Sequence, residues 1–399
     1  FQGDEALDAG MYLIVMPPAN NYYQIVVNPS EQFFSIEAES PDPNASLKIK
    51  GSADFQLFHN YVMFLQEKRK KYDKLSEQMN AEEATSQQKT TNKKELDLLD
   101  KEVKTYKLNI IKTYPTSITA LLFKSMQEIE IPAGIKEDNT QAYYYYRNHY
   151  FDNTDLSDER LLRTPEFYSR INKYLEKLTV QNPDSIIISV DQLIQKARHN
   201  PKTFQFWASD LLNKYAKSKI VGMDAVYVHI ADNYYSKSQT PWIEETNLAK
   251  ITDNAKTLRP LLIGKIAPDI SIQTLDDKPI KLHDEKARYT ILYFWNLDCV
   301  TCKKSIANLK NFYKEYKNKG VTVFSVFTKM PQGLDAYKNF INENEIGEWI
   351  HTTSINDNYK TVYDIKSFPQ IYVLDEQKKI VMKKIGAEQL KEVMEKIMK

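Results

Sequence analysis

Cysteine is nearly absent: only Cys299 and Cys302 occur in 399 residues. Two thiols exclude a disulfide framework and cannot by themselves complete a tetrahedral zinc site. Glycine is scarce, at ten residues, and neither GxGxxG nor GxxxxGK[ST] occurs, which argues against a glycine-rich phosphate cradle. An excess of one charge is also missing. The 54 Lys and Arg face 53 Asp and Glu, a formal net charge of +1, so no basic field points to nucleic acid. No apolar run reaches the roughly 18 residues of a membrane span. The chain opens FQGDEALDAG, with no Met and no leader. FQG reads equally as the scar of a cleaved tag or as native sequence beginning mid-domain, so the missing signal says nothing against export. What the chain has is a 42% hydrophobic share with 26 Tyr and 17 Phe, enough for large cores.

The pattern predicts several domains. Residues 1–50 carry four short runs rich in β-branched and aromatic residues, MYLIVM, YYQIVV, FFSIEA and LKIK, punctuated by Pro and Asn. They suggest one thin sheet, the remnant of a small β-domain cut at its N-terminal side. Residues 51–258 read as mostly α-helical. Phe55, Phe58, Val62 and Leu65 fall at helical spacing behind Ser52, a plausible N-cap. Residues 80–94 are polar, either a solvated helix extension or the loop of a helical hairpin. The stripe resumes at Leu96, Leu99, Val103, Tyr106 and Ile110 and stops at Pro115. Sustained heptads are absent, which favours an intramolecular hairpin over a partner-binding coiled coil. Shorter helices come next, one opening at Thr164–Pro165. YYYYRNHYF (143–151) reads better as an aromatic wall between helices than as a recognition strip. Residues 259–399 alternate. Two strands flank a turn at Asp276–Asp277, then come a buried strand (289–295), a helix (about 301–318), a strand (321–327) and a helix (about 333–344). A hairpin over SFPQIYVLDEQKKIVMKKI and a last helix (387–398) close the chain. This predicts an α/β domain with helices on both faces of a central sheet.

The cysteine pair has three chemical readings. Zinc needs about four ligands. No second CxxC or HxxxH exists, His283 and His351 are singletons, and His59, His149, His199 and His229 lie in helical segments. A structural disulfide closing so small a loop gains little chain entropy. The redox reading has a mechanism. The pair FWNLDCVTCKKS follows a buried strand and opens a helix. Cys299 then sits where unpaired N–H groups and the helix dipole favour a thiolate, and one turn places Cys302 beside it to attack a mixed disulfide.

GKIAPDISIQTLDDKPIKLHD, YFWNLDCVTCKK and VYDIKSFPQIYVLDEQKKIV together resemble the TlpA-like and redoxin branch of the thioredoxin superfamily, over about residues 260–399. The resemblance implies a thioredoxin-like fold and thiol–disulfide exchange on protein substrates, with no cofactor beyond a redox-active Cys299–Cys302 disulfide. It implies that Cys299 attacks, that Cys302 resolves, and that Pro369 is cis with Phe368 before it, the two flanking the substrate. Trp295 is expected beneath the site, a position that core packing explains equally well. Asp298 stands where the branch usually carries Trp; an acid there opposes a thiolate at Cys299, while Lys303 and Lys304 favour it. The spacer Val300–Thr301 lacks the frequent Pro. Ser305 occupies a position where some members carry a catalytic Glu, so proton handling at Cys302 is expected to be slower or to use water.

The rest of the chain resembles domains of exported thioredoxin-like proteins of Gram-negative anaerobes. GMYLIVMPPANNYYQIVVNPSEQFFSIEAESPDPNASLKIKGSADFQLFHNYVMFL is similar to their β-domain, and DAVYVHIADNYYSKSQTPW to an uncharacterised domain after it. This implies a periplasmic or cell-envelope location, leaves room for a lipid anchor upstream, and goes with a redox partner protein. Two rival functions stand beside exchange: an envelope scaffold whose thioredoxin-like domain is vestigial, and a thiol peroxidase. The peroxidase reading suffers because Asn296, not Thr or Ser, stands three residues before Cys299, with no Pro ahead of it.

Overall fold

The computed structural model describes residues 3–18, 20–39, 46–81, 85–236, 238–328, 334–353 and 358–398. The chain divides into two compact units, residues 1–181 with 188–207, and residues 182–187 with 208–399. The sequence boundaries at 50 and 258 mark changes of secondary structure; the compact units divide the chain within its helical part.

The first unit starts with β1 (Gly10–Met16), β2 (Asn21–Val27), β3 (Ser35–Glu37) and β4 (Lys48–Lys50). They form two separate antiparallel ribbons, β1–β2 and β3–β4, not the single thin sheet expected. Each ribbon covers a helix instead of a neighbouring strand. Ile25, Val26 and Val27 share a core with Phe55 and Phe58 of α1 (Ala53–Asn80) and with Ile118 and Phe123. Gly51 turns the chain from β4 into α1 at φ +89°, where a Cβ would sit 2.5 Å from the Phe33 carbonyl oxygen. Ser52 is the N-cap, its side chain accepting from the Phe55 amide. The helix α2 (Ser86–Thr113) opens on a capping box of Thr85 and Gln88. The polar stretch 80–94 is thus mostly helix; residues 82–84 lie outside the described residues. Buried Asp54 accepts from the Ile118 and Thr119 amides, which ties α1 to the start of α3 (Ile118–Ser125). The tyrosine-rich tract forms α4 (Asn139–His149), and Tyr150 and Phe151 behind it pack against Tyr174 of α5 (Pro165–Lys177), as a wall. The helices α6 (Pro183–Ala197) and α7 (Pro201–Ala216) complete the middle of the chain.

The second unit contains α8 (Asp224–Ile230), α9 (Glu245–Leu258) and a seven-stranded sheet. Its strands are β5 (Ser271–Thr274), β6 (Pro279–Lys281), β7 (Tyr289–Trp295), β8 (Val321–Phe327), β9 (Ile350–Thr353), β10 (Gln370–Asp375) and β11 (Ile380–Lys383). The order is β11-β10-β7-β8-β9-β5-β6; β7, β8 and β9 run parallel and the other pairs antiparallel. Every residue of β7 is buried, as a central strand covered on both faces requires. On one face, Ile291, Tyr293 and Trp295 meet Ile306 and Leu309 of α10 (Val300–Tyr316), Tyr337 and Ile341 of α11 (Leu334–Glu343), and Leu390 and Met394 of α13 (Leu390–Ile397). On the other, Leu292 and Phe294 meet Tyr359 of α12 (Asn358–Val362), with Tyr363, Leu261 and Ala267. The sequence missed β9 and α12, which at four and five residues are too short for periodicity to register. Residue 333, expected to open α11, lies outside the described residues. Gly320, at φ +84°, turns the chain from the end of α10 into β8, where a Cβ would approach Arg288 Cβ at 2.9 Å.

Two polar arrangements lie inside this unit. Lys383 on β11 is buried, pairs with Asp224 of α8 and donates to the Leu261 carbonyl. The second is a chain: Trp295 Nε1 donates to Ser325 Oγ at 2.8 Å, Tyr337 Oη stands 3.4 Å from Ser325 Oγ and 2.9 Å from His351 Nδ1, and His351 Nε2 lies 2.8 Å from the Ile346 carbonyl. A carbonyl only accepts, so Nε2 carries the proton and Nδ1 accepts from Tyr337.

Removing the carboxylate of Asp224 strands a buried ammonium. Asp224→Ala is expected to cost about 3 kcal/mol or more in urea unfolding; a cost near zero would show that the Lys383 ammonium reaches solvent. A second expectation concerns pH. Burial pushes the His351 pKa down to about 4 from 6.5. The neutral ring is favoured in the fold, so its stabilising effect is complete above pH 6.5 and lost as pH falls towards 4. The loss approaches about 3 kcal/mol at about 1.36 kcal/mol per unit. His351→Gln should remove this part of the acid destabilisation; an unchanged slope between pH 6.5 and 4 would locate the protonation elsewhere.

Candidate active site

The site is built where β7 ends. Trp295 closes the strand, Asn296–Asp298 turn outwards, and Cys299 is the N-cap of α10 in extended conformation, φ −88° and ψ 106°. The first-turn amides of a helix lack intrahelical acceptors. Here the Cys302 amide donates to Cys299 Sγ at 3.0 Å, so sulfur takes the place of a capping hydroxyl. The two cysteines are joined as a disulfide with Cα atoms 5.1 Å apart. Cys299 is half-buried; Cys302 is fully buried in the core beside Trp295.

Phe368 and Pro369 come to the same place. The Phe368–Pro369 peptide is cis, as the resemblance implied, and the Phe368 carbonyl oxygen lies 3.5 Å from Cys299 Sγ. A disulfide sulfur has no proton to donate, whereas a thiol at Cys299 has one for that oxygen. Phe368 itself is half-buried against both faces of the core. Trp295 is fully buried, stacked on Tyr293 and edge-on to Phe327 and Tyr337. Asp298, Lys303 and Lys304 are exposed around the first turn of α10.

Ser305 is buried, and its hydroxyl donates to the Cys302 carbonyl at 2.8 Å. The Tyr293 hydroxyl stands 2.5 Å from Ser305 Oγ and 3.3 Å from the same carbonyl. Burial holds the Tyr293 pKa well above the usual phenol range. Sequence reasoning treated Tyr293 only as part of an apolar strand. The signal was there: a Tyr in a run buried on both faces must find a partner for its hydroxyl. Among the described residues, no group of three or more His, Cys, Asp or Glu is placed to hold a metal ion.

Comparison with known proteins divides the chain in two. Residues 65–260 match a domain of unknown function, DUF5106, and residues 263–383 match the AhpC/TSA family. Thiol-disulfide oxidoreductase ResA of Bacillus cereus is 31% identical over 135 residues, which are 33% of this chain and 75% of the relative. Sporulation thiol-disulfide oxidoreductase A of Bacillus subtilis is 30% identical over 125 residues, 30% of this chain and 74% of the relative. The crystal structure of a thioredoxin-like protein from Bacteroides caccae is similar in fold, with a TM-score of 0.54 at 21% identity over 67% of this chain and 97% of the other.

The unequal burial of the two sulfurs predicts unequal reactivity. After reduction, brief iodoacetamide treatment followed by peptide mapping should label Cys299 at least about tenfold more than Cys302, because the capping sulfur is both accessible and stabilised as thiolate. Equal labelling, or dominant labelling of Cys302, would reverse the roles.

Proposed function

The chain belongs to the ResA-like thiol–disulfide oxidoreductases, and from that membership we propose that Cys299 and Cys302 form its working redox centre, acting on proteins of the cell envelope. The observation that carries the assignment of roles is the Cys302 amide on Cys299 Sγ at the first turn of α10. An N–H aimed at sulfur at a helix N-terminus lowers a thiol pKa and raises the thiolate fraction near neutral pH.

In the reducing direction, the Cys299 thiolate attacks one sulfur of a substrate disulfide. That disulfide breaks, its other sulfur leaves as a thiolate and takes a proton from water, and a mixed disulfide remains. Cys302 then loses its proton and attacks Cys299 Sγ, which expels the second substrate thiolate. Two electrons have passed to the substrate, and the chain holds the Cys299–Cys302 disulfide. Oxidation of a dithiol is the same sequence reversed. The electrons come from or go to a redox partner protein, and no further cofactor is needed.

Phe368 and Pro369 flank the substrate. The Phe368 carbonyl, 3.5 Å from Cys299 Sγ, is a backbone acceptor at the start of β10, where an extended substrate segment can pair. Lys303 favours the thiolate at Cys299 and Asp298 opposes it. Trp295 is a packing residue below the pair. The envelope location is supported by the persistence of disulfides in oxidising compartments and by the resemblance of the earlier segments to exported proteins.

The test is a trap. With Cys302→Ser the mixed disulfide cannot resolve, and covalent complexes with disulfide-bearing proteins should accumulate that dithiothreitol releases. Cys299→Ser should form none. Equal trapping by both variants, or by neither, would remove the two-step scheme.

A further inference from the structure

Cys302 is the harder sulfur to use. It is fully buried beside Trp295, Ile306 and Leu309, and apolar burial raises a thiol's pKa. Yet the second half of exchange, in the role proposed above for this residue, needs its thiolate.

Two hydroxyls stand at the Cys302 carbonyl. Ser305 donates to the Cys302 carbonyl, and Tyr293 lies within hydrogen-bonding reach of Ser305 Oγ and, at 3.3 Å, of that carbonyl. With Ser305 on the carbonyl, the Tyr293 proton goes to Ser305 Oγ, and the same carbonyl is the acceptor within reach of Tyr293 once Ser305 turns away. Ser305 follows Cys302 by three positions on α10, so the two side chains share its core-facing side, and both are buried. A serine hydroxyl reorients by rotation about a single bond. We propose that the Ser305 hydroxyl turns from the Cys302 carbonyl to the Cys302 sulfur when that sulfur ionises, while Tyr293 takes over the carbonyl. Ser305 then stabilises the resolving thiolate directly, and Tyr293 is the positioning residue that frees it to do so. No proton is lost by either hydroxyl. The Cys302 proton leaves to solvent, and the pair lowers the cost of its departure.

Other charges around Cys302 are less well placed for this. Asp298, Lys303 and Lys304 are exposed, and Lys366, two residues before Phe368, is exposed and pairs with Asp364. Among the described residues, the titratable groups buried on elements packed against the core-facing side of α10 are Tyr289 and Tyr293 on β7, Tyr337 on α11 and, hydrogen-bonded to Tyr337, His351 on β9. Glu388, just before α13, and Lys391 on it are exposed. Of these side chains, Tyr293 is the one hydrogen-bonded to the Cys302 residue.

The experiment uses the full chain with Cys299→Ser, which leaves Cys302 as its single thiol, labelled with carbon-13 at Cβ. The Cβ chemical shift is followed against pH. Ser305→Ala should raise the Cys302 pKa by about one unit or more, Tyr293→Phe should raise it by a smaller amount, and Ser305→Thr should restore it. In chains that keep both cysteines, the pH at which mixed disulfides resolve should move up in parallel. An unchanged Cys302 pKa in Ser305→Ala overturns the inference, and so does an unchanged value in Tyr293→Phe if Ser305→Ala fails to fold. The titration does not depend on exchange. A shifted pKa in a chain that never forms mixed disulfides would sink the proposed function while leaving the hydroxyl pair in place.

Discussion

The first turn of a helix leaves its amides without intrahelical acceptors, and in α10 a cysteine sulfur supplies one of them. Most of what this domain can do depends on that substitution. A serine or threonine at the N-cap would satisfy the same amide equally well. Sulfur in that place gains an electrostatic reason to be negative, and a negative sulfur is a nucleophile. The position holds because β7 is buried along its whole length and delivers Cys299 to the helix start after a three-residue turn. Phe368, brought in by β10, then sets a backbone carbonyl against that sulfur.

The surroundings pack this geometry from both sides. The strand β7 lies between β10 and β8, with α10, α11 and α13 on one face and α12 with the 261–272 segment on the other. The outer strand β11 is not left open. The Gly264 and Ala267 amides donate to the Ile380 and Lys378 carbonyls, and the Ile380 amide donates to Lys265. The chain entering the domain thereby shields an edge that would otherwise recruit other strands. Lys383 adds a buried ion pair to Asp224, so this part of the helical segment is joined to the sheet as well as tethered by sequence.

Legibility in the sequence followed the range of each interaction. Ser52 as N-cap, the turn at Asp276–Asp277 beside β5 and β6, and the spans of β7 and β8 depend on neighbours along the chain, and they were readable. The cis peptide before Pro369 came from resemblance, since nothing local distinguishes it from an ordinary X–Pro bond. Long-range pairing was not readable. The four N-terminal strands were expected in one sheet because their runs look alike, yet they separate into two ribbons that pack on α1. Lys383 follows the apolar run Ile380–Met382 and stands beside Lys384, as a solvated lysine at a strand end would; only the fold shows it buried on Asp224. Ser305 looked like a loss, a missing acid. The hydroxyl that meets it comes from Tyr293, twelve residues earlier on another element.

A working redox couple and a structural staple differ in reduction potential, and measuring that potential on the purified chain distinguishes them most directly. The amide at Cys299 Sγ favours the thiolate, hence the reduced state, and moves the couple in the oxidising direction. Equilibration with glutathione or thioredoxin buffers should therefore show one two-electron transition above about −300 mV, the level below which structural disulfides typically fall. A potential well below that value would mean that the disulfide resists exchange and serves only to hold the start of α10.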